Sequence, residues 1–214
     1  MGKKSVVIML LMLLATTMGC SQPTTAVDAS GRVTPAGAQK LINGKIEVEG
    51  QVIKEATTKE VWDKMKIQIF NTEDYRGGHS YIIDHGKVTR LCGGMSFSPV
   101  EPKFITDLNG DKKPEFIFVY IFGSGGVCHR AVGAYSNGAM LRPHWISSWL
   151  FDLDKISDSE VELCEMPSCI PSYTTKVLLG KLALVKKDNK TQLTIQFEPK
   201  IPRMIRRSFW TMYN

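Results

Sequence analysis

Residues Phe116-Ile117-Phe118-Val119-Tyr120-Ile121-Phe122 are seven consecutive large apolar side chains. Successive side chains of a strand point to opposite faces, so a strand here has no polar face. It must be covered on both sides, which places Pro114–Phe122 at the centre of a layered β structure. Gly123-Ser124-Gly125-Gly126 ends the run abruptly. At 214 residues the chain holds one domain or two small ones, with ample material for a core.

Shorter alternating runs surround this strand. Ile46, Val48 and Val52 share one face of a strand, with Glu47, Glu49 and Gln51 opposite. Thr57 and Glu60 have capping-box spacing for a short helix before Ile67 and Ile69. Ser80–Asp84 and Lys87–Leu91 flank His85-Gly86 as a tight hairpin. Leu182–Val185 and Leu193–Phe197 flank Lys187–Lys190 in the same way. Long helices and convincing internal repeats are absent. The pattern predicts a mainly β, single disulfide-braced domain, with sandwich, barrel and propeller-like architectures all open.

The amino terminus carries an address. Met1-Gly2-Lys3-Lys4 is a short positive segment, and Ser5–Met18 is an uncharged, largely apolar run of 14 residues. That is signal-peptide anatomy, since a membrane-spanning helix needs ~20 apolar residues. The following Thr17-Met18-Gly19-Cys20 resembles the lipobox of bacterial lipoproteins, although Thr17 stands where Leu is usual. The resemblance implies removal of residues 1–19, lipid on Cys20 and attachment to a bacterial membrane. Ser21, in place of Asp, resembles the outer-membrane-sorted members, so the protein would face the periplasm or the cell surface. Residues 20–40, rich in Ser, Thr, Ala, Gly and Pro, read as a flexible tether. Residues 41–214 then form the globular domain.

The cysteines agree with export. Without Cys20, four remain: Cys92, Cys128, Cys164 and Cys169. An even number suits an oxidising compartment, and the short loop through Pro167 favours Cys164–Cys169, leaving Cys92–Cys128. Their spacing matches no structural zinc pattern.

One motif has metal chemistry. Asp107-Leu108-Asn109-Gly110-Asp111-Lys112-Lys113-Pro114-Glu115 places oxygen side chains at positions one, three, five and nine of a loop. Such spacing suits Ca²⁺, with the Lys113 carbonyl at position seven. The segment resembles the calcium loops of FG-GAP and VCBS-type repeats, which also run straight into a strand. The resemblance spans about twenty residues, Phe104 to Gly123, and implies Ca²⁺ at Asp107, Asn109, Asp111, Lys113 and Glu115. Lys112 departs from it, because those loops have Gly there to supply a positive φ. Phe118 at position twelve excludes an EF-hand.

Catalytic patterns are mostly missing. Ser124 lacks the Gly of a nucleophile elbow two residues earlier, and no P-loop, dinucleotide fingerprint or HExxH occurs. Cys128 and His129 are adjacent, so a strand would point them to opposite faces. Two surfaces remain. Lys200, Arg203, Arg206 and Arg207 form a basic cluster suited to anionic lipid, glycan phosphate or an acidic partner. Trp145 and Trp149 could offer a sugar platform. The net charge of +6 is too small to indicate nucleic acid. The expected function is a lipid-anchored, non-catalytic binding module of the cell envelope, with an envelope protein or glycan as partner. The alternatives are an inhibitor or immunity protein against a cell-wall hydrolase, whose lipoprotein examples share this layout, and an envelope hydrolase using Asp107, Asp111 or Glu115.

Overall fold

The computed structural model describes residues 27–43, 52–74, 77–93, 98–124, 127–147, 151–165, 177–187 and 189–201. Among them, twelve strands form three four-stranded antiparallel sheets, each an up-and-down meander of consecutive strands. The first sheet holds β1 (Val52–Glu55), β2 (Gln68–Asp74), β3 (Gly77–Asp84) and β4 (Lys87–Gly93). The second holds β5 (Glu101–Thr106), β6 (Glu115–Ser124), β7 (Val127–Ser136) and β8 (Ala139–Ser147). The third holds β9 (Phe151–Ser157), β10 (Glu160–Glu165), β11 (Val177–Lys187) and β12 (Lys190–Phe197).

Strand alternation in β6 divides the core. Phe116, Phe118 and Tyr120 turn to the first sheet and pack among Ile67, Ile69, Ile82 and Leu91. Ile117 and Val119 turn the other way, into a core with Leu153, Val161, Leu163, Leu182, Leu193 and Ile195 of the third sheet. The second sheet is therefore the middle layer, and the expected double coverage of β6 is what the fold contains. Only Ile121, 43% exposed, escapes it.

The predicted hairpins form. Asp84 pairs with Lys87 across His85-Gly86, whose φ values of 46° and 78° belong to a two-residue turn of the primed kind. Lys187 pairs with Lys190 in the third sheet, and a further hairpin, not among those expected, pairs Ser136 with Ala139 across Asn137-Gly138 in the second. Two of these hairpins touch. Tyr135 Oη donates to Asp84 Oδ2 at 2.9 Å, and Lys87 Nζ donates to the Gly138 carbonyl at 2.7 Å, joining the first sheet to the second.

The helices differ from expectation in detail. The short helix α2 (Lys59–Met65) is capped by Thr58, whose hydroxyl accepts from Val61 N–H, not by Thr57. Thr57 Oγ1 instead accepts from Ile69 N–H at 2.8 Å, so the sheet has taken that side chain. The tether is shorter than its composition indicates. Within it, Val27 bridges to Val33, and α1 (Pro35–Asn43) lies on the outer face of the first sheet. Pro35 opens this helix and Thr34 Oγ1 accepts from Gly37 N–H. Small residues allow close approach: Ala38 and Ile42 are fully buried against Phe70, Tyr81 and Ile83. Gln68 clamps the approach, accepting from Val33 N–H and donating to its carbonyl.

No disulfide forms among the described residues. Cys92 and Cys164 are buried, with Cys92 Sγ 3.7 Å from the Ser98 carbonyl. Cys169 and the Cys128 side chain lie outside the described residues, so neither expected pairing finds support here.

In the middle layer Phe118 and Gly133 face each other across β6 and β7. A Cβ on Gly133 would stand 2.4 Å from the Phe118 ring. Gly133→Ala should therefore destabilise the fold by about 1–3 kcal/mol in urea denaturation. Adding Phe118→Leu should cost less than the sum of the two single changes, because the smaller side chain vacates the clash. Full additivity would disprove this packing.

Candidate functional site

The loop between β5 and β6 folds on its own side chains. Asp111 N–H donates to Asn109 Oδ1 at 3.0 Å, and Lys113 N–H to Asp111 Oδ1 at 2.8 Å. Lys112 N–H donates to Asp107 Oδ2 at 3.0 Å. Short Asn and Asp side chains accept in this way from backbone two or more residues on, which is why they shape turns. Gly110 and Lys112 take φ values of 69° and 63°. Lys112 thus adopts the left-handed conformation that glycine adopts without Cβ strain. Asp107 N–H donates to the Asp158 carbonyl at 2.6 Å, fixing the loop to the turn between β9 and β10.

Glu115 is the buried member of the set, 1% exposed at the start of β6. Its Oε2 accepts from Leu108 N–H at 2.8 Å. Burial, helped by the negative charges of Asp107 and Asp111, pushes its carboxyl up to about 7; the Leu108 N–H opposes the shift. Thr106 stands directly across from Glu115 in the sheet, and its buried hydroxyl has no hydrogen-bond partner. Asp107 Oδ1 is likewise buried and without a partner.

The loop and the start of β6 border a cleft of about 480 Å³. Asn109, Asp111 and Glu115 form one wall, and Ser136, Asn137 and Ala139–Leu141 of the β7–β8 hairpin another. Leu184 of β11 and Lys190, Thr191 and Gln192 of β12 close it. The hairpin and β12 contributions were not singled out in the sequence, because only packing of the second sheet on the third brings them to the loop. The volume falls within the range of small-ligand sites.

The oxygen chemistry of the loop suits a hard cation, since Asp107 Oδ1 lacks a donor and Glu115 is crowded by negative charge. Among the described residues, however, no three Asp, Glu, His or Cys side chains converge as a metal-binding group. Of the other predicted sites, Lys200 is exposed beyond β12, and Trp145 lies on β8 opposite Val132. Cys20, Trp149, Arg203, Arg206 and Arg207 lie outside the described residues. No helix among the described residues is long and apolar enough to cross a membrane. No protein-family model, curated protein or solved structure matches the chain.

Glu115 gives the metal-free protein a pH dependence. The unfolded carboxyl ionises near 4.5, whereas the folded one holds its proton to about 7. Its contribution is present in full below 4.5 and is lost as pH rises through 7. In chelator, stability should fall between pH 4.5 and 7 by up to ~3 kcal/mol and then level off. Glu115→Gln should flatten that portion of the curve, as read by denaturant midpoints at each pH. An unchanged slope would show that Glu115 ionises freely.

Proposed function

We propose that this chain is an exported, lipid-anchored, non-catalytic binding module of the bacterial cell envelope, carrying one Ca²⁺ in its Asp107–Glu115 loop. The observation that carries the reading is the loop itself. Its Asp107 Oδ1 is buried without a donor, and its Asn109, Asp111 and buried Glu115 line a ligand-sized cleft. Asp107, Asn109, Asp111 and Glu115 would hold the ion by side-chain oxygens, and Lys113 by its carbonyl. The bound ion would supply positive charge at the cleft wall. The signal segment, Gly19-Cys20 and the polar residues after them support the lipid anchor.

The architecture we propose is propeller-like. Three successive four-stranded meanders, packed face to face in chain order, are how propeller blades follow one another. Export also implies the pairs Cys92–Cys128 and Cys164–Cys169. Peptide mapping without reductant tests them, and alkylation of Cys92 in denaturant alone would remove the first.

Titration calorimetry tests the ion. Extracellular calcium modules bind at ~10⁻⁴–10⁻³ M, so millimolar Ca²⁺ should stabilise the fold by only ~0.4–1.4 kcal/mol. The gain should vanish with chelator and in Asp107→Ala. Lys112→Gly should tighten binding, because it relieves the left-handed residue and removes a nearby positive charge. It should also stabilise the metal-free protein by roughly 0.5–1 kcal/mol. No heat in either wild type or Lys112→Gly would end the calcium reading.

The anchor has its own test. Metabolic labelling with a palmitate analogue should mark wild type and not Cys20→Ser. Equal labelling of the two would leave a protein without this lipid site.

A further inference from the structure

Three consecutive residues of β8, Ala139–Leu141, and three of β12, Lys190–Gln192, line the cleft. Successive side chains of a strand point to opposite faces, so a cleft on a sheet face meets alternate residues. One that meets three in a row runs along the strand's edge. Both strands are edge strands, since β8 pairs only with β7 and β12 only with β11. Their Cα atoms come within 8 Å of one another, yet the two strands do not pair. The cleft is therefore bordered by two edges that carry unpaired backbone groups.

The two edges are not equivalent. Lys187 and Lys190 flank a two-residue turn and exchange both their bonds, and pairs alternate from there without a register shift. Gln192 thus bonds back to Val185, while the N–H and C=O of Thr191 point away from β11. Among the described residues no turn or loop backbone group bonds to Thr191. β12 (Lys190–Phe197) contains no proline, whereas Pro143 removes a donor from β8. A donor and an acceptor side by side on a free edge match a second extended backbone. Met140 and Leu184 offer apolar contact beside that edge. Asp111 and Glu115 stand with Lys190 in the lining, and the residues next to them in sequence include Lys112, Lys113 and Asp188. Both signs are present and neither dominates, which suits a segment without net charge. We infer that the cleft receives an extended, uncharged peptide segment of a partner protein, which adds as a strand to the free edge of β12 at Thr191 and rests an apolar side chain on Met140 and Leu184. The inference rests on the binding-module reading, and does not require calcium.

The probe is a fixed array of acetylated, amidated hexapeptides that alternate apolar and uncharged polar residues, screened in chelator. The best binder is then titrated into the full chain by heteronuclear NMR. It should bind with a Kd below about 1 mM and slow hydrogen exchange at the Thr191 amide, while the Gln192 amide, already paired, stays unchanged. Single N-methylations along the peptide should alternate between about 5-fold weakening and no effect, because every second amide faces the edge. Thr191→Pro should weaken binding at least ~10-fold, since proline lacks the outward N–H and an edge strand accepts it there. Thr191→Val keeps that N–H and should bind like wild type, and the N-methyl scan carries the test if the proline variant does not fold. Absence of binding by every array member overturns the proposal. So do binding that leaves the Thr191 amide unprotected, a flat N-methyl scan, and a folded Thr191→Pro variant that binds like wild type. A dimer made monomeric by Thr191→Pro would overturn it in favour of a second copy of this chain. Binding of maltotetraose at Thr191 without peptide binding would overturn it in favour of a saccharide. Failure of calcium binding or of lipid labelling would overturn those readings and leave peptide binding standing.

Discussion

The fold depends on the demand of one strand to be covered twice. β6 turns Phe116, Phe118 and Tyr120 to one sheet and Ile117 and Val119 to another, all of them almost fully buried. At ~25 cal/mol per Å² of apolar surface, stripping either cover would expose several large side chains at about 1.5–3 kcal/mol each. The flanking meanders answer that demand. The first sheet then needs its own outer cover, and α1 supplies it with Ala38 and Ile42. A helix in a stretch of small and polar residues thus exists because a sheet face beneath it has Phe70 and Tyr81 to bury.

The same strand places the candidate site. Glu115 sits one residue before the apolar run, so it enters the core edge together with Phe116 and is buried as a consequence. A carboxyl there costs free energy unless it keeps its proton or meets positive charge. The loop before it is shaped by local Asx bonds, but its position comes from the backbone bond between Asp107 and Asp158 of the third sheet. Loop chemistry and layer packing are separate contributions, and the cleft needs both.

Much of the β structure was legible in the sequence. His85-Gly86 and the polar turn at Lys187–Lys190 mark hairpins because Gly, Asn and His enter the positive-φ region more readily than other residues, and His85 and Asn189 take φ of 46° and 58°. Capping-box spacing favours Thr57, three residues before Glu60, but its hydroxyl accepts from Ile69 N–H in the sheet and Thr58 caps the helix instead. Thr34-Pro35-Ala36-Gly37-Ala38 has the composition of a linker, while the burial of Ala38 is set by Phe70 and Tyr81 far along the chain. In the candidate site, Asp107, Asn109, Asp111 and Glu115 could be read from spacing. Asn137, Lys190 and Gln192 could not, as nothing local distinguishes them from other hairpin residues.

By itself the sequence determined the period-two strands, the turn positions and the buried centre, because side-chain alternation and backbone φ preferences act over a few residues. It also determined that an oxygen-rich loop precedes the central strand. The tertiary structure alone decided that the strands divide into three separate meanders and that the middle one is β5–β8. It also decided that the loop faces the β11–β12 hairpin some 75 residues away in sequence. These outcomes depend on which apolar faces meet, and that is settled by the packing of whole layers, not by any residue's immediate neighbours.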